Sequence, residues 1–156
     1  MASNYYNRAV KEGADGTWAY LTSTIKMMLV GTATPYTPNV DHDFVDMGGA
    51  NDPADAEISV SGYTPGFGGA GRKTLASKTI TEVDASDRAE FSSAANVWTA
   101  LGTGATIAAG ILITEIGVAD TTARLIAYID VTDTPTNGGD ITVTPGTGGW
   151  YYGTTV

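Results

Sequence analysis

The chain's only histidine, His42, stands between two carboxylates in "DHDFVD", residues 41–46. An imidazole flanked by acids suits either a metal ligand or the base of a Ser-His-Asp relay. Side chains of adjacent residues diverge, however, and no G-x-S-x-G or comparable nucleophile motif accompanies them. The same hexapeptide lacks the central glycine and terminal glutamate of a calcium-binding EF-hand loop. A second acidic group, "DVTDTPTNGGD", places Asp130, Asp133, Asn137 and Asp140 around one connection. That spacing suits either a structural calcium ion or a plain Asx-type turn. "GFGGAG", Gly66 to Gly71, precedes Arg72 and Lys73. Its spacing is neither G-x-G-x-x-G nor a Walker motif, and no apolar strand and helix frame it, so it reads as a mobile loop. The reading is therefore of a protein that is not an enzyme, with no catalytic residue, no cofactor and no bound metal.

Composition narrows the field further. The 156 residues carry 17 acidic against 8 basic side chains, a net charge of -9, and no cysteine. Disulfides, zinc-thiolate sites and thiol nucleophiles are thereby excluded. The acidic excess opposes phosphate backbones and anionic lipid, so neither nucleic acid nor a membrane is an expected partner. The first sixteen residues hold Arg8, Lys11 and Glu12 and lack the apolar core of a signal peptide, so no secretion signal is expected. Phe91 to Thr114 is uncharged, but its serines, threonines and glycines fit two strands joined by a turn better than a membrane span.

The elements that would hold these groups are short. Tyr5, Tyr6, Ala9 and Val10 recur at helical spacing and Gly13 to Gly16 ends the pattern, which predicts a short N-terminal helix. "TIKMMLVG", Thr24 to Gly31, reads as the first strand, closed by Pro35 and Pro38. Asp41 to Met47 fits one helical turn, and Glu57 to Ser61 a further strand. Lys78–Val83 and Arg88–Ser93 alternate across "DASD" as a hairpin. Strands are also expected over Ala95–Ala100, Thr106–Ile116, Thr122–Val131, Asp140–Thr144 and Trp150–Tyr152. The fold class is mainly β, an antiparallel β-sandwich or jelly-roll-like double sheet with a short N-terminal helical arm. Residues 1–23 would form the arm and residues 24–156 a single sandwich domain, with a flexible Gly-rich loop near 62–73.

Candidate interaction residues come from side chains a small core does not need. In "TARLIAYIDV", Ala123, Leu125, Ala127, Ile129 and Val131 define one strand face. Arg124, Ile126 and Tyr128 lie on the other, which is either a second buried face or a subunit contact. Tyr5, Tyr6, Trp18 and Tyr20 crowd one end of the sequence, and Trp150, Tyr151 and Tyr152 the other. Large rigid aromatics suit both sheet edges and interfaces.

Several stretches taken in order resemble a known group. "NRAVKEG", "TIKMMLV", "HDF", "SGY", "LASKTIT", "ANVWTA", "LIAYIDV" and "NGGDITVT", spread from Tyr5 to Val143, resemble a family of small virion proteins of tailed bacteriophages and prophages. Members are similar to capsid decoration, or cement, proteins that bind outside an assembled shell. The resemblance implies a non-enzymatic structural protein made in the bacterial host cytoplasm and located on the capsid exterior. Its implied partners are the major capsid protein and further copies of itself, often as trimers. The segment Gly48 to Lys73 is richer in glycine than that family's pattern. A tail or receptor-binding structural protein is the alternative reading, and a carbohydrate-binding module or small hydrolase a third.

Overall fold

A computed structural model describes residues 3–154. In chain order these form β1 (Ser3–Tyr5), α1 (Asn7–Ala14), β2 (Lys26–Gly31), α2 (Pro53–Ala56), β3 (Lys73–Thr74) and β4 (Thr79–Val83). There follow β5 (Arg88–Ser92), β6 (Asn96–Trp98), β7 (Thr106–Thr114), β8 (Arg124–Pro135), β9 (Ile141–Val143) and β10 (Tyr151–Thr154). The fold is mainly β, every strand pair is antiparallel, and a short helix stands near the N-terminus.

A five-stranded sheet ordered β1-β8-β7-β2-β3 forms the body. Its central strands are apolar at both parities, "KMMLVG", "TIAAGILIT" and "RLIAYIDVTDTP", and this pattern marks strands covered on both faces. Register puts Tyr5, Ala127, Leu112 and Met27 in one row across one face. Tyr128, Ile111 and Met28 form the adjacent row on the opposite face. The first face meets two smaller sheets, β10-β5-β4 through Tyr151 on Tyr5, and β6-β9 through Asn96 on Met27. The second is covered by the long connection after β2, whose Tyr36 ring lies 6.1 Å from that of Tyr128. Sheets facing one another across an apolar layer make the arrangement sandwich-like.

Three expectations change. Asp41 to Met47 is not helical: it runs alongside β8, with Phe44 bridged to Arg124 and the Val45 N–H donating to the Ala123 carbonyl. Glu57 to Ser61 forms only the isolated bridges Val30↔Glu57 and Val60↔Tyr63. The N-terminal segment is built into the body, because β1 pairs with β8, and Tyr6 and the α1 residue Ala9 are buried. No helix of the described residues is long and apolar enough to cross a membrane.

Candidate interaction surface

Most of the candidate interface aromatics sit in the core. Tyr6, Trp18, Tyr20, Ile126, Trp150 and Tyr151 are buried, and the Tyr152 side chain lies outside those described. Within the chain they serve packing, one of the two uses the sequence left open for them. Strict alternation breaks at Ile126, which is fully buried at a register irregularity where the adjacent Leu112 and Ile113 pair with Ala127 and Leu125. Trp150 escapes the alternation because it precedes β10 at a tight turn. There Gly149, at φ +74°, passes so close to β5 that a Cβ would lie 2.4 Å from the Phe91 carbonyl oxygen. The turn lets the Trp150 N–H donate to that carbonyl and its indole N–H donate to Ser93 Oγ.

The aromatics assemble into one cluster. The Tyr5 ring meets Tyr151 edge-on at 4.4 Å, Phe91 stacks on Tyr151 at 4.5 Å, and Tyr20 stands edge-on to both Phe91 and Tyr151. Edge-to-face pairs of this kind add about 0.5–1.5 kcal/mol each beyond simple burial. The cluster joins the main sheet to the three-stranded one. Burial, and then the neighbouring Tyr5 and Tyr20 hydroxyls, pushes the Tyr151 phenol far above its ordinary range.

Arg124 and Tyr128, the half-buried candidates, also have partners within the chain. Arg124 Nε donates to Glu12 of α1 at 3.0 Å, and Arg8 Nε reaches the same carboxylate at 2.7 Å. The centre of the Phe44 ring lies 4.5 Å from the Arg8 guanidinium and 5.3 Å from that of Arg124. The buried Glu12 thus clamps helix to sheet. On the neighbouring part of β8, Tyr6 and Tyr36 share a hydrogen bond between hydroxyls of 2.9 Å, and Tyr36 Oη lies 3.0 Å from His42 Nδ1. His42 is therefore the outer end of a tyrosine chain that fastens the loop over β8.

A stronger polar group went unread in the sequence. Arg72, whose side chain is fully buried, forks onto Glu57 with 2.8 and 2.7 Å hydrogen bonds and onto Asp120 with 2.6 and 3.1 Å ones. Glu115 accepts from Arg72 at 3.2 Å and from Lys26 Nζ at 2.6 Å. The glycine loop joins this network: the Gly66 N–H donates to Glu57, the Gly68 N–H to Glu115, and Tyr63 Oη to Glu57. Tyr63 lies against Gly71, where a Cβ would fall 2.4 Å from its ring. Residues 62–73, expected as a flexible loop, are held by these bonds. Burial would raise the Glu115 carboxyl, but the hydrogen bond from Lys26, that from Gly68 and the charge of Lys26 hold it below its ordinary value.

The acidic turn shows turn chemistry. Asp140 Oδ1 accepts from the Ala100 N–H at 2.9 Å and Asn137 Oδ1 from the Gly139 N–H at 3.0 Å, while Asp130 and Asp133 are exposed. No group of three or more His, Asp or Glu side chains among the described residues is placed to hold a metal ion.

An open apolar groove lies beside the aromatic cluster. A groove of about 630 Å³ runs between α1 and the β4–β5 hairpin, floored by Tyr5, Trp18, Tyr20 and Tyr151 and rimmed by Val10 and Ile80. Both rim residues are exposed, Val10 at 58% and Ile80 at 45%. Register aligns Ile80, Phe91 and Tyr151 in a single row, so the groove continues the face that carries the cluster. β4 is an edge strand with no break in register, and four of its five residues are exposed.

No family model, curated protein or solved structure matches the chain.

The sequence carried a faint signal for this groove. Val10 falls on the predicted helix and Ile80 in the predicted hairpin, each the apolar residue of a polar neighbourhood. Nothing in their spacing says that the two elements meet.

Proposed function

We propose that this chain is a non-enzymatic structural protein of a phage virion, a capsid decoration or cement protein that lies on the outside of the major capsid lattice and stabilises the head. The observation that carries the reading is the apolar groove with an open strand edge at its rim, set on a body otherwise braced internally by buried ion pairs. Exposed apolar surface of this kind is the usual mark of contact with another polypeptide. An unpaired edge offers main-chain hydrogen bonds that a neighbouring chain can complete. The resemblance of the ordered stretches supplies the setting. Its strongest parts, Thr24 to Val30, Leu125 to Asp130 and Asn137 to Thr144, fall on β2, β8 and the approach to β9.

Weak contacts suffice where a protein repeats across a lattice and can also touch its own copies. Quantitative mass spectrometry of purified particles tests the reading. Copies comparable in number to the capsid protein are expected, with loss of heat resistance in particles lacking the chain. A handful of copies would move it to the tail, and absence from particles would end the proposal.

A further inference from the structure

Resting on the virion role just proposed, we infer that the β4 edge and the adjoining groove receive an extended segment of the shell protein, added as an antiparallel or parallel strand, with an apolar side chain opposite Ile80 and a lysine or arginine opposite Glu82. Three features determine this chemistry. First, among the described residues β4 has a partner only on its β5 side, which leaves a row of main-chain donors and acceptors along the other edge. The strand contains no proline and its pairing no bulge, the usual devices that protect an edge.

Second, residues directly opposite on neighbouring strands share a face. Ile80 lines the groove with Val10, so a residue added opposite it shares the apolar face of the sheet that the groove continues. Glu82, two residues further, projects from the same face. Third, the charges are unequal. Glu82 and Asp84 are exposed and form no ion pair among the described residues, whereas Glu90, on the other face of the hairpin, is bonded to Arg88. The one cation at the far end of the strand, Lys78, is engaged with the Ser23 carbonyl and stands 5.9 Å from the Tyr20 ring. An incoming strand thus meets apolar surface and then uncompensated negative charge.

A second copy of this chain is a poorer occupant. A β4–β4 pairing would bring together two chains that each carry a net charge of -9.

Heads lacking the chain, incubated with the purified full-length protein and sedimented, provide the test. Ile80→Asp and Val10→Asp should weaken binding about tenfold or more, as removal of an interface anchor does. Glu82→Lys should weaken it and flatten its salt dependence. Val118→Asp, at a residue 87% exposed and outside the groove, should bind as the unsubstituted protein does. All four positions are exposed, and circular dichroism is the check that each variant folds. Failure of the unsubstituted protein to bind heads would overturn both the virion role and this docking site. Binding unchanged by Ile80→Asp and Val10→Asp would overturn the docking site alone. A concentration-dependent dimer abolished by Ile80→Asp, with head binding retained, would give the groove to a second copy and equally overturn it.

Discussion

Arg72 sets the terms at the scale of single residues. A guanidinium with no solvent contact is tolerated because Glu57 and Asp120 each meet it with two hydrogen bonds. Arg72→Ala would leave Glu57, Glu115 and Asp120 facing one another beside Lys26 alone. Urea unfolding should show a loss of about 3–5 kcal/mol, the usual consequence of removing one partner from a buried ion pair. Acid should attack the same place. The Glu115 carboxyl is held below its ordinary value of 4.5, so its contribution is complete above that pH and is lost as pH falls through and below it. Unfolding midpoints measured from pH 7 down to pH 3 should fall with a slope that Glu115→Gln reduces. Arg72 was visible in the sequence only as one of two cations after a glycine loop. Its partners lie 15, 43 and 48 residues away, and a pattern read along the chain has no access to such distances.

Elements were more legible than their contacts. The hairpin, the first strand and the short helix follow from alternation, turn residues and helical spacing, and each appears within a few residues of its expected bounds. What periodicity could not supply was the covering of β8's second face. Arg124, Ile126 and Tyr128 looked surplus to one core because the loop that roofs them, 36–45, has no regular structure to announce it. The two-residue β3 and the three-residue β1 were likewise too short to carry a pattern. Gly149 shows how a single backbone position governs an element. Its close approach to Phe91 allows β10 to pair with β5 and brings Trp150 and Tyr151 into the core. Gly149→Ala meets both the left-handed φ and the Phe91 carbonyl, and should cost about 1–3 kcal/mol or more. Intrinsic tryptophan fluorescence would report it as partial exposure of Trp150 with an earlier thermal midpoint.

The whole molecule divides its labour unevenly. Two ion clusters, around Arg72 and around Glu12, and one aromatic cluster consume most of the side chains that might otherwise have served as a site. Among the exposed apolar side chains, Val10 and Ile80 stand together at one groove, beside the edge strand β4. Such a distribution suits a rigid block that presents one adhesive strip to a repeating surface. On the proposed virion role, the acidic excess would keep unassembled copies apart. A cryo-electron microscopy map of intact particles examines this account most directly. It should place the chain on the outer surface of the head with a strand of the shell protein continuing the β10-β5-β4 sheet beyond β4. A map with the chain absent from the head, or present with that edge bare to solvent, would contradict it.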